Sequence, residues 1–255
     1  MTLLHSISVT ILTRNSEKYL PRCLDALTGF DEVIVLDNGS TDSTLRLVTG
    51  YANVRLIEHP FIGFGPLKNL AVSSARNEWI LSVDSDEIVT AKLLDELRTL
   101  DLADERAVYS IARDNYYNGR LVRCCGWRPD RVMRLFCRRH TRFNDLRVHE
   151  SLLVKPDTRL RQLRGTLQHF PYASAAELID KMQKYSTLYA EQNSKRSSPA
   201  KAFFRAAFAF IRNYIFQKGF LCGYEGLLIS VSNAVGVFYK YIKLYEKNAA
   251  DTGNQ

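Results

Sequence analysis

The sequence predicts an α/β fold: a mostly parallel, Rossmann-related sheet with helices on both faces, followed by a helical C-terminal region. Over the first hundred residues, short apolar segments rich in β-branched residues alternate with segments of helical character, which is typical of a parallel, doubly wound sheet. Beyond residue 171 the apolar residues recur at helical spacing instead. We therefore predict an α/β domain over residues 1–172 and a helical region over residues 173–255.

Four apolar segments are predicted to form the parallel strands. They are Ile7–Leu12, Val33–Leu36, Val54–Ile57 and Trp79–Val83. Each is short, apolar and bounded by polar or turn residues, as buried strands are. Parallel sheets bind ligands at the carboxyl ends of their strands, so the residues directly after these segments are the first candidates for a site.

Helices are predicted between these strands and after the fourth one. They cover Glu17–Leu27, a segment that begins near Thr41 or Asp42, Leu67–Ser74 and the amphipathic segment from Leu93 to Leu100. From Ala107 onward shorter extended segments are predicted, with arginines between them: Val108–Ile111, Leu121–Cys124, Val132–Phe136 and Val148–Val154. A long helix is predicted over Ala175–Gln192.

The positive charge of the chain is concentrated in two segments. The net charge is +8, residues 120–164 contain 13 Lys or Arg against 4 Asp or Glu, and residues 195–247 contain 9 against 2. Such segments indicate anionic partners, which include nucleic acid, anionic lipid and a phosphorylated acceptor. No nucleic-acid-binding module pattern accompanies them, so a nucleic-acid partner is not predicted.

The cysteines and the termini predict a protein of a reducing compartment. The five cysteines are odd in number and lack C-x-x-C spacing, which argues against a disulfide framework. The first residues lack the basic region and cleavage site of a signal peptide. The longest uncharged apolar stretch, Gly226–Phe238, is about half as long as a membrane-spanning helix requires, so we predict that the chain does not span a membrane.

The strongest chemical signal directly follows the fourth predicted strand. Asp84 and Asp86 lie one residue apart there, where their carboxylates are expected at the mouth of the sheet. A divalent cation on such oxygen ligands neutralises the charge that develops on a leaving diphosphate. Acidic turns after strands are also common as solvated loops, so the pattern alone leaves that alternative open.

Polar residues also follow the first two strands. Thr13-Arg14-Asn15 ends the first strand and Asp37 ends the second, which gives three polar clusters along one sheet edge. Asp37 can accept hydrogen bonds from a base or ribose, or it can cap its own turn. Lys68 can reach this pocket or face solvent. Because Lys68 also stands where the third glycine of a dinucleotide fingerprint would lie after Gly63 and Gly65, a Rossmann cofactor site is not predicted.

Taken in order, these motifs resemble the inverting family 2 glycosyltransferases of GT-A fold. The matching segments are Val9–Asn15, Val35–Asp42, Lys68-Asn69 and Asp84–Glu87, within roughly residues 5–100. The later segments His149-Glu150, His169–Tyr172 and Gly219–Gly223 are similar to a bacterial subgroup that adds glucose to the heptose of the lipopolysaccharide inner core. The chain departs from the subgroup at Cys222, where an aspartate is expected.

The resemblance implies specific roles for these residues. Donor binding is expected from Thr13, Arg14, Asn15, Asp37, Lys68 and Asp84, with Thr13, Asn15 and Asp37 on the uridine. A divalent metal, Mg²⁺ or Mn²⁺, is expected on Asp86 and His169. Glu150 is the expected base that deprotonates the acceptor hydroxyl, and Asp145 and Asp130 are the alternatives.

The resemblance also implies an activity and a location. The expected reaction transfers a hexose with inversion, with UDP-glucose as donor and a lipopolysaccharide core or similar lipid-linked saccharide as acceptor. Residues 1–100 would bind the donor and residues 101–172 the acceptor. The basic and aromatic residues 195–247 predict contact with an anionic membrane, or else packing on the catalytic domain. This gives a cytoplasmic protein on the inner face of the bacterial inner membrane. Another donor or acceptor sugar, or a membrane-bound non-catalytic scaffold, is the alternative.

Overall fold

A computed structural model describes residues 3–253 and consists of two compact units. The first unit comprises the chain up to Asp114 together with Asp130–His169. The second comprises Asn115–Pro129 and the chain from Phe170 onward. The predicted division at residues 172 and 173 into a catalytic and a C-terminal region concerns function, so it stays a prediction.

Within the described residues, nine strands form one sheet. They are β1 Ile7–Thr13, β2 Val33–Asp37, β3 Val54–Glu58, β4 Trp79–Asp84, β5 Glu87–Val89, β6 Ala107–Tyr117, β7 Arg120–Leu121, β8 Arg131–Cys137 and β9 Arg159–Tyr172. The order is β3-β2-β1-β4-β8-β6-β9-β5, and β7 pairs with β6. Strands β1 to β4 are parallel, whereas β8, β6 and β5 join by antiparallel pairing. The mostly parallel sheet that the first hundred residues predict is therefore present.

The helices follow the strands in alternation and then continue as a helical C-terminal segment. They are α1 Leu20–Asp25, α2 Thr44–Val48, α3 Phe64–Ser73, α4 Ala91–Arg98, α5 Ala175–Gln192, α6 Pro199–Ile211 and α7 Gly223–Gly253. Short 3₁₀ segments cover Leu3–Ser6 and Gly219–Cys222, and a π-helical turn covers Arg212–Phe216.

The core of the first unit lies on both faces of the sheet. Successive residues of β2 point to opposite faces, so Val33 and Val35 join one apolar cluster while Ile34 and Leu36 join another. Helix α1 packs Leu20 and Leu24 into the first cluster, and α3 packs Leu67 and Ala71 into the second. All five residues of β2 are buried, which is why this strand reads as an uninterrupted apolar run.

Two predicted extended segments are wrong. Val148–Val154 contributes only an isolated bridge between Leu152 and Phe143, and the neighbouring Leu153 and Val154 are exposed. The strand in this part of the chain is β9 instead, whose first residues are arginine-rich and exposed and therefore lack an apolar signal. Of Leu121–Cys124, only Leu121 belongs to a strand.

The second unit contains helices α5, α6 and α7, and α7 packs against both of the others. The C-terminal half of α7 is held by polar contacts. Lys243 Nζ donates to Ser186 Oγ and Thr187 Oγ1, both at 2.8 Å, and Lys247 Nζ donates to the Glu191 carbonyl at 2.8 Å.

One expectation about the second unit is wrong. Cys124 and Cys222 form a disulfide, although the cysteine pattern argued against such bonds. The two residues are 98 positions apart, so local spacing carries no signal of their proximity. In addition, the helical segment Gly219–Ala250 is long and apolar enough to cross a membrane, by length and composition alone, and 22% of its most apolar stretch is buried. The sequence estimate ended at Phe238, whereas the helix continues past the charged residues beyond it, and the expectation that the chain does not span a membrane stays a prediction.

Candidate active site

Hydrogen bonds join the polar clusters that follow β1, β2 and β4. Asn15 has a left-handed backbone with φ of 50°, and its Oδ1 accepts from the Thr41 amide at 2.8 Å. Ser16 Oγ lies 2.9 Å from Ser85 Oγ, between the two aspartates of the acidic motif. Because β1 is flanked by β2 and β4 in parallel register, the three strand ends meet at one edge. The predicted gathering of these clusters is observed.

Asp37 is buried and its carboxylate is engaged in its own turn. Oδ1 accepts from the backbone amides of Gly39 and Ser40, both at 2.8 Å, and Oδ2 accepts from the Ser40 hydroxyl. Gly39 has φ of 102°, a conformation that favours glycine. The capping role that the sequence left open is therefore observed, and a role for Asp37 toward a base stays a prediction.

Thr13 and Arg14 present different groups at the same edge. The Thr13 hydroxyl is buried and has no hydrogen-bond partner among the described residues. A buried hydroxyl without a partner costs free energy, so the position suits a contact with a bound molecule. Arg14 is exposed.

Asp84 is held by two cations. Lys68 Nζ donates to its Oδ1 at 2.9 Å, and Arg134 Nη2 donates to its Oδ2. Burial acts to raise the pKa of Asp84, but the charges of Arg134 and Lys68 outweigh it and hold that pKa well below its ordinary value. Lys68 is itself buried, so its solvated-face alternative is not what the structure shows.

Arg134 is the residue that the sequence analysis missed. It is buried and also donates to Glu87 Oε1 at 2.6 Å, while Glu87 Oε2 accepts from the Asp84 amide at 3.0 Å. Burial opposes its charge, but Asp84 and Glu87 raise the pKa of Arg134, so the guanidinium stays protonated. The only signal in the sequence was an arginine inside the apolar strand β8, where a charge needs a partner.

Arg113 extends this network to one of the alternative bases. Its guanidinium lies 3.4 Å from Glu87 Oε1 and 2.8 Å from Asp130 Oδ2. Asp145, the other alternative, is exposed and forms two contacts of 3.0 Å with Arg142. Both alternative carboxylates are thus paired with arginines.

Glu150 lies within the same group as the acidic motif. Its Oε1 is 3.4 Å from Lys68 Nζ, which also contacts Asp84, so one ammonium group bridges the two carboxylates. Lys68 is 16 residues from Asp84 and 82 residues from Glu150 in the sequence, and the fold brings these three side chains together.

Asp86 and His169 face each other across the pairing of β5 with β9. The Glu87–His169 register pair brings the two segments together, and His169 Nε2 lies 3.6 Å from Asp86 Oδ2. An oxygen and an imidazole nitrogen at this separation can both ligate one divalent cation at about 2.1 Å, so the pair fits such an ion. Across the part of the chain that the structure describes, no group of three or more His, Cys, Asp or Glu could hold a metal.

Comparisons with known proteins concern the family of the chain. The model of the family described as Glycosyl transferase family 2 matches residues 8–176. The lipopolysaccharide core biosynthesis glycosyltransferase LpsC of Rhizobium meliloti (strain 1021) is 30% identical over 95% of this chain and 93% of its own length. An uncharacterised glycosyltransferase, RT0209 of Rickettsia typhi, is 26% identical over 94% of this chain and 87% of its own. The crystal structure of S. aureus TarS 1-349 in complex with UDP-GlcNAc covers 98% of this chain and 92% of that one, with 18% identity and a TM-score of 0.49.

Proposed function

This chain belongs to glycosyl transferase family 2, with the GT-A-like α/β fold that its sequence predicted, and we propose that it transfers a hexose from a UDP-sugar to a lipid-linked saccharide with inversion. Glucose from UDP-glucose is the proposed donor group. A lipopolysaccharide core or similar glycolipid is the proposed acceptor, and the 30% identity to LpsC over nearly the whole chain supports it. The observation that carries the proposal is the Lys68 bridge between Asp84 and Glu150.

The donor is proposed to lie along the edge formed by the ends of β1, β2 and β4. Thr13, Asn15 and Asp37 would contact the uridine, and the unpartnered Thr13 hydroxyl supports this placement. Arg14 and Lys68 would contribute positive charge toward the diphosphate. Asp84 would hold the ribose side, fixed in position by Lys68 and Arg134.

The proposed base is Glu150. It would take the proton of the acceptor hydroxyl as the oxygen attacks the anomeric carbon from the face opposite UDP. The bond from that carbon to the diphosphate oxygen breaks, UDP leaves with the electron pair, and an α-linked donor gives a β-linked product. Glu150 is preferred because its cation partner, Lys68, also contacts Asp84 of the donor motif, whereas Asp130 and Asp145 are paired with Arg113 and Arg142.

Metal dependence is proposed from Asp86 and His169, which would hold Mg²⁺ or Mn²⁺. When bound, the ion would neutralise the negative charge that develops on the departing diphosphate. The two side chains come from β5 with its preceding turn and from β9, so the pairing of these strands sets their separation.

The second unit is proposed to place the enzyme on the inner face of the bacterial inner membrane. Ten large apolar side chains are exposed between residues 203 and 227, within the basic segment 195–247. Aromatic rings at the headgroup boundary with Lys and Arg toward anionic lipid are typical of interfacial segments. The apolar helical segment Gly219–Ala250 supports membrane association by its composition.

UDP release from a panel of nucleotide sugars, with Mn²⁺, Mg²⁺ or chelator, tests the proposed reaction. We expect release from UDP-glucose that requires metal and increases with the acceptor. Full UDP release in chelator would contradict the metal role. Preference for another nucleotide sugar would show that UDP-glucose is not the donor. No release from any donor would favour a non-catalytic scaffold.

A further inference from the structure

The second unit contains a pocket that the proposed reaction does not use. Its volume is about 450 Å³, and its walls come from residues 120–124 on one side and from residues 218–225 on the other. Three cations line it, Arg120, Arg123 and Lys218, against one carboxylate, Glu225. The lining therefore carries an excess of positive charge, which suits an anionic group.

Three connections hold the two walls of this pocket together. The Cys124–Cys222 disulfide joins them covalently, and the Cys125 amide donates to the Gln217 carbonyl at 3.0 Å. Arg120 Nη1 donates to the buried Glu225 Oε1 at 3.0 Å, so the carboxylate is already paired with one of the three cations. These bonds fix the two walls of the pocket relative to each other, so the pocket is not a gap between loosely packed segments.

The turn that carries Lys218 is fixed in an unusual conformation. Lys218 has φ of 58°, in the left-handed region that non-glycine residues rarely adopt. Gly219 follows it, and a side-chain carbon there would lie 2.9 Å from the Asn213 carbonyl oxygen, so the turn fits closely on its neighbours. Strained backbone of this kind persists where the surrounding contacts enforce it, and it is enriched at ligand sites.

Arg123 and Lys218 are the two cations available to a ligand. Both are exposed, and among residues 4–250 no carboxylate lies at ion-pairing distance from either one. Leu221, which also lines the pocket, is exposed, as are the neighbouring aromatic residues Phe216, Phe220 and Tyr224. An anion site at the edge of an exposed apolar segment matches a lipid, whose phosphate lies next to its acyl chains.

We propose that this pocket binds the phosphate group of an anionic lipid through Arg123 and Lys218, with Arg120 as a third donor. Phe216, Phe220, Leu221 and Tyr224 would enter the apolar boundary beside that headgroup. The inference rests on the proposed membrane contact and deepens it, because it assigns lipid binding to a defined pocket instead of to diffuse positive charge.

The test compares two double variants of the full chain. Arg123→Ala with Lys218→Ala removes two cations from the pocket and leaves the Arg120–Glu225 pair intact, so no buried carboxylate loses its partner. Arg205→Ala with Arg212→Ala removes the same charge from exposed positions of the same unit outside the pocket. Binding is measured by co-sedimentation with vesicles of phosphatidylcholine containing phosphatidylglycerol, at one fixed salt concentration.

The pocket variant is expected to bind these vesicles about tenfold more weakly than the matched control variant, with UDP release unchanged in both. Equal losses of vesicle binding in the two variants would contradict lipid binding in the pocket but not the proposed membrane contact. A wild-type chain that fails to sediment with any vesicle would remove the proposed membrane contact as well.

Soluble glycerol phosphate separates a lipid from a free phosphate compound. We expect it to displace the wild-type chain from vesicles only weakly. Tight binding of glycerol phosphate that the pocket variant loses, with vesicle binding unaffected, would assign the pocket to a soluble phosphate ligand and overturn the lipid proposal.

Discussion

The two units of this chain use large apolar side chains in opposite ways. In the first unit, Phe30, Phe136 and Tyr109 are almost completely buried against the sheet. In the second unit, Phe203, Phe204 and Phe216 expose 62%, 69% and 72% of their surface. Aromatic residues occur in both units, so residue type does not explain this difference in burial. The difference depends on whether other parts of the unit pack over the aromatic rings.

The buried ion pairs of the candidate active site contrast with several exposed cations in the second unit, which also contains the buried carboxylate Glu225. In the first unit, Glu87 and Arg134 are buried and paired at the carboxyl edge of the sheet. In the second unit, Arg123, Arg205 and Lys218 are exposed. In the proposed function, the first unit would carry out the transfer reaction and the second unit would contact the membrane. Variants in one unit should therefore leave the function of the other intact.

The largest effect is expected from Asp86→Ala, which removes a proposed metal ligand without disturbing the core. Transfer should fall to background, because the departing diphosphate would lose its neutralising cation. Sedimentation with anionic vesicles should stay at the wild-type level. Near-normal transfer by this variant, or by the wild type in chelator, would separate Asp86 from metal binding.

Glu150→Gln is expected to lower the transfer rate by about 10²–10⁴, because the amide keeps the size of the side chain but cannot accept the proton. Donor affinity, measured by titration with UDP, should change little. Asp145→Asn is the matched control, since Asp145 is exposed and paired with Arg142, and it should keep most of the activity. A Glu150 variant with full rate would transfer the role to Asp130 or Asp145.

Arg134→Gln tests whether the first unit depends on its buried charges. The substitution leaves Glu87 and Asp84 without their shared cation, and breaking a buried pair costs about 3–5 kcal/mol in the free energy of unfolding. Urea denaturation measures this cost. Arg142→Gln, at an exposed ion pair, should cost less than about 1 kcal/mol. Similar losses in the free energy of unfolding for the two variants would show that the burial of Arg134 does not add to the stability of the folded protein.

The same variant has an expected pH signature. The pKa of Asp84 is lowered in the folded protein, so as pH falls the unfolded chain takes up the proton first, near its ordinary pKa of about 3.9. The stabilisation is complete above that value and declines as pH falls further. Arg134→Gln should flatten this acid-side decline, and unfolding curves measured between neutral and acidic pH should show it. A decline as steep as that of the wild type would exclude Arg134 as its cause.

The smallest effect is expected from replacing Lys201, Arg205 and Arg212 together with alanine in the second unit. Each exposed cation near an anionic surface contributes about 1 kcal/mol or less, so vesicle binding should weaken at low salt and the difference should shrink at high salt. Donor hydrolysis should be unchanged. Equal binding of the wild type to neutral and anionic vesicles would remove the electrostatic part of this membrane contact.

The sequence by itself determined those strands and helices whose apolar patterns extend over only a few residues. Strands β1, β2 and β4 were predicted because their apolar runs end in polar turn residues, and these strand ends led to Asp84 and Asp86. Helix α5 was predicted at its observed bounds because its apolar residues recur at helical spacing, and in the structure Ser174 caps it. The joint placement of Lys68, Asp84 and Glu150 came from the ordered motifs of a family and not from periodicity.

The tertiary structure alone decided the features that join distant segments. Arg134 pairs with Asp84 across 50 residues, and Cys124 bonds to Cys222 across 98, although neither sequence neighbourhood marks its partner. The exposure of Phe216 was also undecided, since an aromatic residue has the same local pattern in a core as at an interface. Backbone preference and hydrophobic periodicity act over a few residues, whereas ion pairing, disulfide formation and burial depend on which remote segments the fold brings within contact distance.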